Sequence, residues 1–414
     1  MSEQELKDCE EMLKGLLLPD NEKRKKAESQ LQVCLSSNQN KEKLVLYCSL
    51  LLLKTTDLGV QTYCAIITRK VFLPNEKEES NPFYKTLSVE SKNQIKLSLL
   101  NGLQSITNNS LRKNVAEAAI SFFTAIMEND EKWEELLKYI ISLFNLQLND
   151  TNYANIELGL FLLSNVYSIA YDELKEGVQI FLKNFDEYFK CNSLSLKAKT
   201  VQCINELLCS ALSKKEAKQF KQQIFPILET TYKCLQEHDM DNLKVCLDSI
   251  QDLSNCEPKI LRKNFNDIFI LMGKIVEDKE ADDNLREIAF EIIVALVEGI
   301  PKILEKDDEK LKVLVQSLFK YAMELDQTID EEWLKPNTTT FISDEFIPEQ
   351  KLDTTCSLLN RLFGVINEEK LLKLTSDNII ELINHSSDSD WKYKYIAYIT
   401  TAEIAGFIQD ISTT

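Results

Sequence analysis

Histidine, glycine and cysteine supply many catalytic and cofactor sites, and this sequence uses them in ways that predict none. Only two histidines occur, His238 and His385, and neither lies beside a closely spaced cysteine pair. The metal spacing HExxH is absent, as are GxxxxGK[ST], GxGxxG and GxSxG. Nine scattered glycines cannot build a phosphate-binding loop. A sequence alone does not exclude a catalytic triad formed by residues that are distant along the chain. We nevertheless expect no enzyme activity, no cofactor and no bound metal.

The cysteines indicate a reducing compartment. There are 11, an odd number, with no CxxC pair, and most lie inside apolar helical runs, as do Cys64, Cys203 and Cys246. This usage is typical of small buried thiols in the cytosol or nucleus. The N-terminus has no apolar signal region, and no run approaches 18 uncharged apolar residues. We therefore expect a soluble protein without membrane insertion.

The scarcity of glycine and proline predicts an all-α fold. Average usage would give about 29 glycines in a chain of this length, whereas the sequence has 9, together with 8 prolines. Sheets, hairpins and ligand-binding loops consume these residues, while stacked helices do not. At 44% hydrophobic residues, the chain can also bury a large core.

The net charge of −18 makes some partners more plausible than others. Nucleic-acid binding normally needs a basic face, so direct DNA or RNA binding is disfavoured. An acidic field suits basic protein partners. The alternative is an acidic surface that only keeps the protein in solution.

A repeated motif indicates helix-pair repeats. The helical pattern predicts helices in pairs, and in several pairs the second helix carries a cation three residues before a small or apolar residue. These are Arg24/Ala27, Lys113/Ala116, Lys197/Thr200, Lys244/Leu247, Arg286/Ala289 and Lys394/Ala397. The steps from 197 to 244 and from 244 to 286 are 47 and 42 residues, and that from 113 to 197 is two such units. A period of about 40–47 is typical of HEAT repeats. We predict a HEAT-repeat superhelical solenoid of about nine helix pairs; the alternative is chance periodicity in a helical bundle.

Local periodicity also predicts particular helices. It favours single helices over 214–236 and 258–277, a short helix over 376–384 and a final helix over 389–408.

One segment, 326–350, loses the helical period. It holds seven acids against one base, Lys335, with Trp333 and two prolines. We interpret it as an acidic loop inserted between HEAT repeats over 1–325 and further repeats over 351–414; the alternative is a solvated linker. The residues that we expect to bind a partner here are Asp326, Asp330, Glu331, Glu332, Trp333, Asp344 and Glu345.

In several segments the sequence resembles the importin-beta (karyopherin-beta) family of nuclear transport receptors, nearest the beta-3 class. The segments that carry the resemblance are Pro19–Leu31, Thr62–Phe72, Leu111–Ala119, Asn284–Leu304, the acidic-Trp cluster Asp330–Leu334, Leu352-Asp353, and Ser389–Gly406 with its DWKYK core. The acids of the insertion are interrupted by Pro336–Thr340, a departure from the family pattern.

The resemblance implies a nuclear import receptor that carries cargo through the nuclear pore and shuttles between cytoplasm and nucleus. Its partners would be the GTP form of Ran GTPase, basic protein cargo and FG nucleoporins. Ran would contact the N-terminal inner helices, for which we name Glu28, Arg69, Arg112 and Lys113. Such receptors are longer, so we expect this chain to be an N-terminal portion. The alternative with the same fold is a static HEAT-repeat scaffold or adaptor.

Overall fold

The computed structural model contains helices and no strands in the part of the chain that it describes. The described residues are 3–73, 81–210, 221–324, 350–385 and 391–412. The chain divides into two compact units, Met1–Ala211 and Leu212–Thr414. The predicted all-α class is confirmed.

The first unit is a series of helix pairs. Its helices are Glu3–Leu16 (α1), Asn21–Leu35 (α2), Asn38–Lys54 (α3), Leu58–Phe72 (α4), Pro82–Thr86 (α5), Val89–Ser105 (α6), Asn109–Met127 (α7), Glu134–Phe144 (α8), Tyr153–Val166 (α9), Tyr171–Lys190 (α10) and Leu194–Cys209 (α11). The pairs are α1 with α2, α3 with α4, α6 with α7, α8 with α9, and α10 with α11.

The second unit repeats this arrangement. Its helices are Ile224–Gln236 (α12), Met240–Cys256 (α13), Pro258–Leu261 (α14), Phe265–Glu277 (α15), Asp283–Gly299 (α16), Lys302–Glu305 (α17), Asp308–Ala322 (α18), Gln350–Phe363 (α19), Glu368–His385 (α20) and Trp391–Ser412 (α21). The pairs are α12 with α13, α15 with α16, α18 with α19, and α20 with α21. The described residues thus contain nine pairs, which confirms the predicted number.

Short polar side chains determine where many helices begin. The Asp20 carboxylate accepts hydrogen bonds from the backbone N–H groups of Glu22 and Lys23 at the start of α2. Ser88 caps α6 and Asp282 caps α16 in the same way. Each cap satisfies backbone donors that have no partner inside the helix.

The second helices of the pairs carry much of the core because neighbours cover them on several sides. In the first unit α4 packs on α7, α7 on α9 and α9 on α11, and in the second unit α13 packs on α16 and α16 on α19. Eleven residues of α16 are buried, against one, Ala27, in α2. Helix α2 is therefore held much less tightly by the core than α16.

The spacing of the second helices supports HEAT-type repeats. The starts of α7, α9, α11, α13 and α16 are separated by 44, 41, 46 and 43 residues, within the HEAT period of about 40–47. The step from α16 to α19 is 67 residues because it contains 325–349.

Three predicted helices have different bounds. The predicted helix 214–236 is described from residue 221 onward, where a 3-10 turn, Lys221–Gln223, precedes α12. A second 3-10 turn at Arg262–Asn264 divides the predicted helix 258–277 into α14 and α15. The ring of Pro258 lies where a Cβ of Gly299 would be, so glycine permits α14 to pack on the end of α16.

The predicted helix 376–384 is longer in the structure. It begins at Glu368, because Leu371 and Thr375 continue the buried face of Ile379 and Leu382 at helical spacing.

Candidate partner-binding surfaces

Three second helices of the second unit, α13, α16 and α19, line an acidic groove. Its volume is about 740 Å³. The side chains that line it are Lys244, Asp248, Gln251, Asn284, Glu287, Ile288, Glu291, Asp353, Thr354 and Ser357. Four carboxylates thus face one ammonium group, so the groove favours a cationic ligand.

Partial loss of surrounding solvent affects two aspartates that are exposed on the first of these helices. Loss of solvent raises the pKa of Asp248, an effect that Asp252 reinforces and Lys244 opposes. Burial also raises the pKa of Asp252. A cation placed beside them would restore the interactions that their charged forms lose on burial.

Two glutamates of the groove already have partners within the second unit. Glu287 Oε1 accepts a hydrogen bond from Tyr321 Oη at 3.0 Å and from Thr354 Oγ1 at 3.2 Å. Glu291 accepts one from Arg361 Nη1 at 2.5 Å. These contacts join α16 to α18 and α19. They hold the walls of the groove, on which Asp248 and Asp353 are the exposed acids.

An ionic cluster holds together the two residues that flank segment 325–349, and we call it the clasp. Its members are Arg286, Glu324, Lys351, Asp283 and Lys279. Arg286 forms two hydrogen bonds with the Glu324 carboxylate, at 2.7 and 2.9 Å. Lys351 Nζ lies 2.9 Å from Asp283 Oδ1 and 3.6 Å from Glu324 Oε2. Lys279 also pairs with Glu324.

The environment of Glu324 strongly favours its charged form. Burial alone would raise the pKa, but hydrogen bonds from Arg286 and Lys279 outweigh it and lower the pKa to about 2. The clasp is therefore ionised at neutral pH.

The predicted acidic loop, 326–350, lies outside the described residues except for Gln350, which begins α19. This applies to all seven of its proposed partner-binding residues: Asp326, Asp330, Glu331, Glu332, Trp333, Asp344 and Glu345. Their role stays a prediction. The structure shows only that the flanking residues Glu324 and Lys351 lie side by side.

The predicted Ran-contacting residues of the first unit lie on three second helices. Glu28 is exposed on α2, and its carboxylate lies 3.8 Å from Arg24 Nε. Arg69, on α4, forms an ion pair with Glu117, on α7, at 2.5 Å. The contact of these residues with a partner stays a prediction.

Arg112, and not the motif residue Lys113, joins its helix to the preceding one. Its Nε donates to Leu103 O at the end of α6, at 2.8 Å, as Arg286 Nε donates to Val276 O at the end of α15. By the motif spacing Lys113 corresponds to Arg286, but in the structure the preceding residue, Arg112, makes the equivalent contact. Lys113 is exposed, and its Nζ lies 5.9 Å from the ring centroid of Phe161.

The two residues of the repeated motif differ in burial: the cation is buried in some copies and exposed in others, whereas the small or apolar residue is always buried. The small or apolar residue is buried in all six copies. Among the cations only Lys197 and Arg286 are buried. The motif therefore records the packing of second helices more than a shared ionic contact.

An apolar slot separates two first helices, α12 and α15. Phe225 and Ile270 stand on it with 62% and 58% of their surface exposed, and its volume is about 250 Å³. Lys274 lies over the Tyr232 ring at its edge, 4.5 Å from the centroid. Hydropathy could not locate this slot, because single exposed apolar residues are common on any surface.

The described residues contain no group of three or more histidine, cysteine, aspartate or glutamate side chains arranged to hold a metal ion. None of the described helices combines the length and apolar character that a membrane crossing requires.

Comparison with known proteins agrees with this architecture. A family model described as "IPO5-like, TPR repeats" matches residues 107–271. Importin subunit beta-3 of Saccharomyces cerevisiae is 21% identical over 415 residues, covering 97% of this chain. The predicted resemblance to the importin-beta family is confirmed. The structure of Kap121p bound to Nup53p, with a TM-score of 0.72 and 20% identity, matches 99% of this chain.

The chain spans less than two-fifths of the length of these relatives. It covers 36% of importin subunit beta-3 and 38% of the Kap121p chain bound to Nup53p. A further structure, Kap121p bound to RanGTP, has a TM-score of 0.72 and 20% identity over 99% of this chain and 37% of that one. At this identity the structural matches establish the HEAT-repeat fold.

Proposed function

We propose that this chain belongs to a nuclear import receptor that binds protein cargo, is regulated by Ran GTPase and carries cargo through the nuclear pore. The acidic groove along α13, α16 and α19 is the observation that carries this proposal, because its charge fits a basic cargo segment. The likeness to importin subunit beta-3 supports it. The receptor would shuttle between cytoplasm and nucleus.

In this proposal the cargo segment is rich in lysine or arginine and lies along the acidic groove. Asp248 and Asp353 are exposed and bind its cations directly. Glu287 and Glu291 are held by Tyr321 and Arg361 and add to the negative field. Opposite charge raises the association rate and the selectivity more than the affinity itself.

Ran in its GTP form would bind the second helices of the first unit, with Glu28, Arg69, Arg112 and Lys113 as candidate contacts. Kap121p, a protein of the same fold, has been solved bound to RanGTP, which supports Ran as the partner. The acids of segment 326–350 would meet a basic patch on Ran or on cargo.

FG nucleoporins would dock in the apolar slot between α12 and α15. Their phenylalanine side chains suit a narrow apolar site, and Phe225 and Ile270 offer exposed apolar surface there. A receptor of this type performs no chemistry. It releases cargo because two ligands favour different conformations of one helical array.

A pull-down with the full chain tests the regulation. GTP-locked Ran should be retained and GDP-bound Ran should not. Equal binding to both forms, or to neither, would favour the static scaffold.

A second measurement tests the groove. Binding of a fluorescent lysine-rich import peptide should weaken at least about tenfold in Asp248→Lys/Asp353→Lys. The control Glu237→Lys/Glu257→Lys makes the same charge change at exposed positions of the same unit that do not line the groove. Equal weakening in both would show that net charge, and not the groove, determines binding.

A further inference from the structure

A second groove, in the first unit, lies between α2 and α4. Helix α2 packs on α1 and α3 and makes no extended contact with α4, unlike the later second helices of that unit, which pack on one another. The space between them is a groove of about 450 Å³. Leu31 and Leu35 line it from α2, and Tyr63 and Ile66 line it from α4.

The charge of this groove is opposite to that of the molecule. Lys41 and Lys70 line it, and none of its described lining residues is acidic. Neither lysine forms an ion pair within the described part of the chain. Lys41 Nζ lies 5.9 Å from the ring centroid of Phe83, which lines the groove from α5. In a chain of net charge −18, two ammonium groups beside an apolar surface form a local electropositive site.

Helix α2 itself adds positive charge. Four consecutive residues, Lys23, Arg24, Lys25 and Lys26, are exposed on its first half. The same helix buries only Ala27, so its apolar side chains remain half-exposed toward the groove at Leu31 and Leu35.

We propose that the groove between α2 and α4 is a docking site for an acidic peptide segment of a partner protein. A leucine or aromatic side chain of that segment packs in the groove against the apolar side chains of Leu31, Tyr63 and Ile66. Its carboxylates lie beside Lys41 and Lys70. This site differs from the acidic groove in unit, charge and ligand. It lies on two of the helices proposed above for Ran contact, α2 and α4, but its test uses a peptide without Ran, so its outcome is independent of the proposed import function.

Selection from a phage-displayed library of random dodecapeptides against the full chain tests this proposal. Enriched peptides should combine carboxylates with leucine or an aromatic residue. One such peptide, synthesised with a fluorophore, should bind Lys41→Glu/Lys70→Glu at least about tenfold more weakly by fluorescence anisotropy. It should also bind Ile66→Asp more weakly. The control Lys54→Glu/Lys190→Glu changes two exposed lysines of the same unit away from the groove and should change the affinity less than about twofold.

Three results would overturn the proposal. The first is enrichment of basic or uncharged peptides, or of acidic peptides whose affinity is the same for Lys41→Glu/Lys70→Glu as for the unchanged protein. The second concerns the acids between α4 and α5 in sequence: a gain of fivefold or more in peptide affinity in Glu76→Gln/Glu78→Gln/Glu79→Gln. That gain would show that this acidic stretch of the chain itself competes with the peptide for the groove. The third is a dimer in sedimentation that Lys41→Glu/Lys70→Glu dissolves, which would assign it to a second copy. Circular dichroism of each variant checks that the helices persist.

Discussion

The guanidinium group of Arg112 donates hydrogen bonds to acceptors on three helices. Leu103 O belongs to α6, Tyr139 Oη to α8 and Asn155 Oδ1 to α9, at 2.8, 3.1 and 2.7 Å. The fixed fork of arginine suits this geometry, which a lysine ammonium cannot reproduce. One side chain thus ties a helix pair to the pair that follows it.

Arg112→Ala should lower the free energy of unfolding by about 2 kcal/mol, because it removes three hydrogen bonds between helices, although Leu103 O keeps the one from Tyr139 Oη. Lys113→Ala should change it by less than about 0.5 kcal/mol, since that side chain is exposed. Urea denaturation followed by circular dichroism measures both. Equal effects would contradict the structural role of Arg112.

Glu324 should make stability depend on pH. Because its pKa is lowered from 4.5 to about 2 in the folded protein, the clasp stabilises the fold fully above pH 4.5 and loses this contribution as the pH falls toward 2. Glu324→Gln should cost about 2 kcal/mol at pH 7, and the difference from the unchanged protein should shrink below pH 4.5. Urea denaturation at pH 7, 5 and 3 tests this. The exposed Glu309→Gln serves as control, and a cost that is constant with pH would refute the prediction.

At the scale of elements, the slot between α12 and α15 predicts separable binding and stability. Ile270→Asp should weaken retention on an immobilised FG-repeat peptide about fivefold or more, because it places a carboxylate on the apolar surface. Stability should change little, as the side chain is 58% exposed. Val313→Asp, at a residue of α18 that is 47% exposed, is the matched control. Unchanged retention of the Ile270 variant would exclude the slot.

The elements themselves were largely predictable, while their surfaces were not. Few glycines and capping residues such as Asp20 and Ser88 predict helices and many of their starts. The choice between Arg112 and Lys113 was not predictable, because both fit the period and only three-dimensional contacts distinguish them. The acidic groove joins residues such as Asp248 and Asp353, 105 positions apart in sequence. Only packing of α13, α16 and α19 brings such residues together.

For the whole molecule, a net charge of −18 should govern the rate of association with basic ligands. The association rate constant of a lysine-rich peptide should fall about tenfold between roughly 50 and 300 mM NaCl, because salt screens the long-range field. Stopped-flow fluorescence measures it. Glu237→Lys/Glu257→Lys should slow association modestly, and a rate independent of salt would contradict steering by the field.

The clasp also bears on how the chain tolerates change in length. Glu324 and Lys351 are joined by an ion pair at 3.6 Å and are anchored separately by Arg286 and Asp283. The repeats therefore fix the positions of Glu324 and Lys351, whatever the number of residues between them. In general, each doubling in length of a chain segment between two fixed points costs only about 0.6 kcal/mol. A reporter domain inserted between Glu324 and Lys351 should thus leave the clasp and the repeats around it in place.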